Sequence, residues 1–295
     1  MEQFHRTLEQ SSLRTWATLH TYNLQGLALR TANGYTKRSN SVSVLNYDGD
    51  LADIQHIISQ CEAYYHAQQL PAIFKITEDE ISASFDRVLE QQRYDKCDIS
   101  LVQWLRLDTY ASNNAAIDQS IQKIAHHFHP DNKYNDERVG SINNAATSKM
   151  FISSTQTDCI HQTPLQYEAI VEWIKLADSI GDMSEQAQQM IPQLLQASQC
   201  PYAGVIVYVE GQPAACALAV CDGEFVGIYD VMTGEAYRRR GLARYAVHAL
   251  LNWGEQMGAQ YAYLQVIADN EPACKLYEQL GFQHGYRYWY RVENV

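Results

Sequence analysis

The same order of predicted helices and strands occurs twice in this chain of 295 residues, and this repeat restricts the fold more than any other feature. In the first half, the spacing of apolar residues predicts helices over 51–68 and 79–92, with short buried strands at 71–76 and 98–107. A matching series of elements begins about 190 residues later in the chain. A duplicated series of strands and helices predicts two tandem α/β domains.

The second half shows the pattern more clearly than the first. FVGIYDVMT at 225–233 and YAYLQVI at 261–267 are predicted strands, and the residues over 242–257 form an amphipathic helix with one apolar stripe. A helix over 271–280 and a strand over 286–292 complete the series. The second copy therefore has the strand, helix, strand, helix and strand order in full.

The segment between the two halves has a different composition. Residues 108–163 are rich in Asn, Asp, Ser and Thr and have little periodicity, which indicates a linker or excursion. Structure is expected to resume at Leu165, with a strand that leads into a helix over 171–180. We therefore divide the chain into a first domain at 1–107, the linker, and a second domain at 164–295.

Composition excludes several classes of protein. The chain has 22 Lys and Arg against 34 Asp and Glu, a net charge of −12, which argues against nucleic acid as the main partner. No apolar run is long enough for a membrane span, and the N-terminus lacks an export signal, so a cytoplasmic protein without a membrane partner is expected. The seven cysteines are scattered without a C-x-x-C pair, which is typical of reduced thiols.

One cluster of histidines raises the question of a metal. His126, His127 and His129 lie close together in HHFHPDNKY, but the stretch lacks H-E-x-x-H and a matched cysteine pair. A solvated loop accounts for the cluster more simply, and no metal is expected.

The stretch GEAYRRRGLARYA at 234–246 places four arginines around one glycine, directly after a predicted strand and before a helix. A solvated charge run is one explanation. The other is an anion site, because the first turn of a helix offers unpaired N–H groups and a partial positive charge. Gly241 supplies permissive dihedrals, and the small Ala243 lets a ligand approach. The nucleotide motifs G-x-x-x-x-G-K-[ST] and G-x-G-x-x-G are both missing.

The pattern Arg238-x-x-Gly241-x-Ala243, followed by LQVIADNEPACKLYEQLGF at 264–282, resembles the GCN5-related N-acetyltransferase (GNAT) superfamily. The resemblance covers 165–295 well, and the first half looks like a degenerate second copy, as in tandem members. It implies two tandem GNAT-like domains, each with a mixed, mostly antiparallel sheet flanked by helices. It also implies acetyl-CoA as the co-substrate.

The resemblance assigns roles to individual residues. The backbone amides of the arginine loop would hold the pyrophosphate, the end of the preceding strand would pair with the pantetheine arm, and Tyr277 would protonate the departing thiolate. Tyr277 could instead only pack a helix, and Asn270 could be a plain helix N-cap. The residues assigned to acetyl-CoA are Met232, Thr233, Arg238, Arg239, Arg240, Gly241, Leu242, Ala243, Arg244 and Asn270.

The implied reaction is direct attack of a primary amine on the thioester in a ternary complex, so no covalent nucleophile is needed. The acceptor is a small-molecule amine or an amino group of a peptide or protein. Glu224, Asp230 and a water chain are the candidates for the general base. A non-catalytic CoA sensor is the alternative function, and a homodimer is left open as the assembly.

The first half departs from the pattern at the decisive positions. The acidic NYDGDL at 46–51 replaces the arginine loop, and Leu89 stands at the position that matches Tyr277. This half is therefore predicted to have lost CoA binding. In GYTKRSNSV, which also resembles a segment of two-domain acetyltransferases, Arg38 and Asn40 either face the substrate pocket or only cap a strand edge.

Overall fold

The computed structural model describes residues 2–47, 49–110, 147–152, 164–181 and 183–294. The helices are α1 (Glu2–Thr15), α2 (Ile54–His66), α3 (Glu80–Gln91), α4 (Pro164–Gly181), α5 (Glu185–Ser198), α6 (Leu242–Gln256) and α7 (Glu271–Gln279). The strands are β1 (His20–Leu24), β2 (Leu27–Thr31), β3 (Val42–Val44), β4 (Ile73–Thr77), β5 (Asp95–Arg106), β6 (Thr147–Ile152), β7 (Tyr202–Val209), β8 (Gln212–Cys221), β9 (Phe225–Thr233), β10 (Tyr261–Ile267) and β11 (Gln283–Val292).

These elements form two compact units. The first unit contains the described residues within 1–103, 265–278 and 283–295, and the second contains those within 104–264 and 279–282. The predicted domain limits at 107 and 164 stay a prediction, because units that are compact in space need not follow the segments that a sequence repeats.

The first unit has a mixed sheet in the order β1-β2-β3-β4-β11-β5. The pairs β1–β2, β2–β3 and β4–β11 are antiparallel, whereas β3 and β4 are parallel, with Val42 beside Phe74 and Ser43 beside Lys75. A parallel pair needs a crossover connection, and α2 provides it.

The sheet of the first unit has one apolar and one polar face. Buried side chains of α2 and α3 pack on the apolar face, among them Ile58 and Phe85, which join Phe74 and Ile76 of β4 in one core. On β4, Lys75 points the opposite way and is paired with Glu9 of α1. Side chains alternate across a strand, so a buried lysine on the second face is possible only because α1 brings a carboxylate to it.

The second unit has its sheet in the order β10-β9-β8-β7-β6. Strands β9 and β10 are parallel and pair Phe225–Ile228 with Tyr261–Leu264, and the other neighbours are antiparallel. Helix α6 is buried along its apolar stripe, including Leu250 and Trp253. The stripe that the sequence predicts is therefore the face that packs on the sheet.

The predicted fold class is confirmed, since the mixed sheets are mostly antiparallel and carry helices. The repeat is also visible in the elements. The starts of α6, β10, α7 and β11 follow those of α2, β4, α3 and β5 by 188 to 191 residues. Each copy has one parallel pair of strands, β3–β4 and β9–β10.

One local prediction is wrong. Leu165 does not start a strand, because α4 already begins at Pro164. Proline suits the first helical position, where no N–H is needed. The predicted linker at 108–163 also contains strand β6, which pairs antiparallel with β7. Residues 111–146 and 153–163 lie outside the described residues. Over the part of the chain that the structure describes, no helix is long and apolar enough to cross a membrane.

Candidate active site

The arginine loop connects β9 to α6 in the second unit. Arg239 and Gly241 both have left-handed backbone conformations, with φ of 65° and 78°. Such a conformation is strained for a residue with a Cβ atom and natural for glycine. The loop thus turns twice within three residues before the helix starts at Leu242. The side chains of Arg238, Arg239 and Arg240 are exposed.

The turn leaves backbone donors at the start of α6. Along this helix the amide of Tyr245 donates to the carbonyl of Gly241 at 3.1 Å. The amides of Leu242, Ala243 and Arg244 come before that first bond and belong to the set of helix N–H groups that lack a partner inside the helix. The structure therefore has the helix N-terminus and the glycine turn that the predicted anion site requires, and anion binding there stays a prediction.

Two of the four arginines have protein partners. Arg240 lies over the ring of Tyr237, with 5.6 Å between the guanidinium carbon and the ring centroid. Arg244 donates to Oε1 of Gln279 at 2.6 Å. Sequence reasoning missed Gln279, because nothing in the motif relates it to the loop.

Strand β9 has a β-bulge just before the loop. Its pairing with β8 shifts register, so that Tyr229 lies opposite Leu218 but Met232 lies opposite Cys216. Within the bulge, Asp230 has φ of 47°, which is left-handed. A bulge bends the strand and redirects its side chains.

The bulge affects the edge that faces β10. The parallel pairing with β10 joins Phe225–Ile228 to Tyr261–Leu264, and Met232 and Thr233 lie beyond its last pair. An extended ligand arm can therefore add to this end of β9 as a further strand would. The Met232 side chain is held close to α4, since a Cβ atom on Gly181 would lie 2.7 Å from its Sδ.

Asn270 and Tyr277, the remaining predicted site residues, belong to α7 and its N-cap in the first unit, whereas the loop belongs to the second. Oδ1 of Asn270 accepts from the amide of Ala273 at 3.3 Å, and its carbonyl accepts from Cys274 at 3.0 Å. Asn270 is thus the N-cap of α7, and its side chain is exposed. A contact with the co-substrate stays a prediction for it.

Tyr277 is buried, with 7% of its surface exposed. Burial raises the pKa of its hydroxyl to about 12, and the nearby Cys274 adds to the effect. The hydroxyl therefore stays protonated at neutral pH, and its role as a proton donor stays a prediction.

The position of Glu224 weakens it as a general base. Glu224 precedes β9, so it stands at the end of the strand opposite Thr233. Nine residues of extended chain correspond to roughly 30 Å. Asp230 lies three residues before Thr233, on the bulge. The geometry thus favours Asp230 over Glu224.

Two buried cysteines of this unit, Cys216 and Cys221, are protonated thiols. Burial raises the pKa of Cys216 to about 12, to which the charge of Asp230 also contributes. Burial likewise raises the pKa of Cys221. Cys216 and Cys221 are also free of disulfides. A thiol that stays protonated is a poor nucleophile, which agrees with a reaction that needs no covalent intermediate.

The first copy carries a different arrangement where the second has its loop. The Asp50 carboxylate accepts from the amide of Ala52 at 2.9 Å, so a negative charge stands in the turn that leads into α2. Leu89, which matches Tyr277, is fully buried in the apolar core. These contacts support the prediction that this half has lost CoA binding.

The side chain of Asn40 forms all of its hydrogen bonds with backbone groups of its own loop. Its Oδ1 accepts from the amides of Ala32 and Gly34, and its Nδ2 donates to the carbonyls of Tyr35 and Thr36. Of the two roles that the sequence leaves open, the structural one applies, because no hydrogen-bonding capacity remains for a substrate. Arg38 stacks over the ring of Trp16 at 5.4 Å.

Comparison with known proteins agrees with this geometry. Residues 167–282, which include the bulged strand, the arginine loop and Tyr277, match the model of the Acetyltransferase (GNAT) family. Residues 167–282 therefore form a GNAT acetyltransferase domain. The match includes the second copy and not the first. The chain is also 21% identical over 289 residues to the uncharacterized N-acetyltransferase YobR of Bacillus subtilis (strain 168), covering 98% of both chains.

Two solved structures share the fold of this GNAT protein over nearly its whole length. A GCN5-related N-acetyltransferase from Kribbella flavida has a TM-score of 0.61 at 14% identity, with coverage of 99% of this chain and 95% of that one. A tandem GNAT protein from the clavulanic acid biosynthesis pathway has a TM-score of 0.57 at 12% identity, with coverage of 96% and 86%. The tandem architecture predicted from the repeat is thereby confirmed.

The histidine cluster of the sequence lies outside the described residues. Within those that are described, no group of three His, Cys, Asp or Glu side chains could hold a metal ion.

Proposed function

We propose that this GNAT protein transfers the acetyl group of acetyl-CoA to a primary amine, by direct attack in a ternary complex. The observation that carries the proposal is the sequence of bulged strand, glycine turn and open helix N-terminus in the second unit. Each part has a use with this co-substrate, and the three follow one another along the chain.

The donor would be held along β9 and the arginine loop. The amides from Arg239 to Arg244 would donate hydrogen bonds to the pyrophosphate oxygens, and the exposed arginines would add charge beside them. Met232 and Thr233 would pair with the amides of the pantetheine arm. Asn270, at the start of α7, would supply one further polar contact.

The chemistry requires one proton donor and one proton acceptor. The amine nitrogen forms a bond to the thioester carbonyl carbon, the bond from carbon to sulfur breaks, and the sulfur leaves as a thiolate. Tyr277 would give its proton to that sulfur, because its hydroxyl remains protonated at neutral pH. Asp230, or water next to it, would take the proton that the amine loses.

The sulfur gains a full negative charge as it leaves, since a thiol has an ordinary pKa of roughly 8.5, and a hydroxyl that donates a hydrogen bond to it would assist its departure. A CoA sensor needs the phosphate loop but has no use for a proton donor at Tyr277, so the buried tyrosine favours the catalytic role. The acceptor is a small-molecule amine or an amino group of a peptide or protein, since the donor site does not specify it.

An assay of CoA release from acetyl-CoA tests the proposal, with a panel of amino acids, polyamines and aminoglycosides as acceptors. We expect at least one amine to raise CoA release above the rate with acetyl-CoA alone, and the acetylated amine to appear in equal amount. The proposal of an amine acceptor would be contradicted if acetyl-CoA binds to the protein but no amine, and no peptide with a free amino group, increases the release of CoA.

A further inference from the structure

Arg244 differs from the other arginines of the loop because a neutral side chain holds it. It is the third residue of α6, and its Nη2 donates to Gln279 Oε1 at 2.6 Å. Within the residues that the structure describes, Arg238, Arg239 and Arg244 form no ion pair. The chain has 34 acidic residues, so an arginine cluster that bonds an amide instead of a carboxylate leaves its positive charge uncompensated.

The Arg244 guanidinium has the position and the donors to bind an anion. Side chains of a helix tilt towards its N-terminus, so Arg244 extends towards the first turn of α6 and the amides there. The bond to Gln279 uses one of the five N–H donors of a guanidinium. No second hydrogen bond of this side chain is found within the described part of the chain. Its other donors are therefore available to a ligand.

Gln279 is the last residue of α7, at a point where the backbone is anchored. The residues on either side of the following glycine, Leu280 and Phe282, are buried. Gly281 has φ of 93°, a left-handed conformation that commonly ends a helix, and a Cβ atom on it would lie 3.5 Å from Leu105 Cδ1. This packed turn fixes the point from which the Gln279 side chain reaches Arg244.

A glutamine suits this position better than a glutamate would. Elsewhere on α7 a carboxylate does hold a cation, since Glu271 pairs with Lys275 at 3.3 Å. A carboxylate at position 279 would bond Arg244 at least as strongly, but its negative charge would oppose a phosphate. The neutral amide instead orients the guanidinium and leaves its charge for an anion.

We infer that Gln279 is a positioning residue for acetyl-CoA, which acts by holding the Arg244 guanidinium ready for the pyrophosphate. The inference rests on the proposed function, because it needs acetyl-CoA as the ligand of the loop. A long side chain that is ordered before the ligand arrives loses less conformational entropy on binding. The effect of Gln279 therefore lies in the affinity for acetyl-CoA and not in kcat.

Titration calorimetry of the full chain with acetyl-CoA tests this inference through two substitutions of one residue. Gln279→Ala releases Arg244, and we expect it to weaken acetyl-CoA binding about fivefold at unchanged kcat. Gln279→Glu keeps Arg244 in place but compensates its charge, so acetyl-CoA binding should weaken about tenfold at low salt. That second loss should shrink as salt is added, because salt screens exposed charges. A link that only fastens α7 to α6 predicts no loss in Gln279→Glu, since an arginine–carboxylate pair preserves the link.

Gln256→Ala and Gln256→Glu are the matched controls. Gln256 is an exposed glutamine that ends α6, roughly 18 Å along the helix from Arg244, and both variants should bind acetyl-CoA like the unaltered chain. In a chain that already carries Arg244→Gln, the further change Gln279→Ala should cause no additional loss of affinity.

Unchanged acetyl-CoA affinity in Gln279→Ala would overturn the inference, and so would losses that add in the double variant. Failure of the proposed function would look different. The unaltered chain would then itself fail to bind acetyl-CoA, which would overturn the inference as well, or it would bind acetyl-CoA with the predicted dependence on Gln279 and acetylate no amine.

Discussion

Gly254 of α6 lies so close to Val226 of β9 that a Cβ atom on the glycine would stand 2.6 Å from Val226 Cγ1. This contact sets the helix directly on the strand. The arginine loop joins these two elements, so their close packing fixes the positions of the two ends of the loop. The anion site and the bulged strand are thus parts of one packed arrangement.

Gly254→Ala should destabilise the chain, although alanine favours helix by about 1 kcal/mol. The added methyl group would overlap with the β-branched side chain of Val226 on β9, which is paired with neighbouring strands on both sides. Overpacking of this kind costs about 1–3 kcal/mol. Urea unfolding should therefore show a lower midpoint than for Glu255→Ala, an exposed change on the same helix. A midpoint equal to or above that of the control would mean that the helix shifts freely on β9.

Gly241→Glu should abolish acetyl-CoA binding through bulk and like-charge repulsion of the diphosphate. The change also forces a residue with a Cβ atom into a left-handed conformation, which costs about 1–2 kcal/mol. Gly211→Glu controls for that cost, since Gly211 has φ of 77° in the turn between β7 and β8 and a Cβ atom there meets nothing within 4 Å. Equal loss of acetyl-CoA affinity in both variants, measured by calorimetry, would remove the loop from the binding site.

Tyr277→Phe should lower kcat by about 10²-fold with little change in acetyl-CoA affinity, since a general acid contributes about that much. Tyr202→Phe, at a partly buried tyrosine of β7, is the control and should retain full kcat. Collapse of affinity with constant turnover per bound complex would make Tyr277 a packing residue.

The pH profile of kcat tests the same tyrosine in the unaltered chain. The protonated form donates, and burial raises its pKa to about 12, so ionisation of Tyr277 removes activity only as the pH approaches that value. We therefore expect no alkaline fall in kcat between pH 8 and 10 beyond that of the control variant. A fall centred near the ordinary tyrosine pKa of about 10 would contradict a buried donor.

Asp230→Asn should lower kcat/KM by about 10²-fold at neutral pH, and less at high pH, where the amine loses its proton without help. Glu224→Gln should leave the profile unaltered, because Glu224 lies at the far end of β9. An Asp230→Asn variant with an unchanged profile would assign the proton to a water chain.

Much of the fold follows from local pattern. Strands β9 and β10 have the predicted bounds because each is an apolar run that ends at a turn. The pairing of β11 does not follow in this way. Its sequence predicts a strand, but its partner β4 lies in the first half of the chain. The local pattern of apolar residues does not indicate which distant strand a strand pairs with. Strand β6 is missed because it is short and surrounded by polar residues.

The site residues likewise include some that local sequence predicts and some that depend on long-range pairing. Gly241 and the helix start are predictable, since a glycine before an amphipathic helix has a local meaning. The bulge at Asp230 is not, because it arises from the register between β8 and β9. Asn40 shows the converse case. It lies in GYTKRSNSV, the segment that resembles two-domain acetyltransferases, but its side chain forms hydrogen bonds with four backbone groups of its own loop. Only the folded structure shows these bonds.

Calorimetric titration of the full chain with acetyl-CoA tests the central claim most directly. The second copy has the arginine loop, whereas the first copy has the acidic NYDGDL in its place, with Asp50 bonded to the amide of Ala52, so the account predicts one site per chain. Two equivalent sites per chain would contradict the loss of binding in the first copy. No heat at millimolar acetyl-CoA, together with no release of CoA to any amine, would contradict the acetyl-CoA site itself.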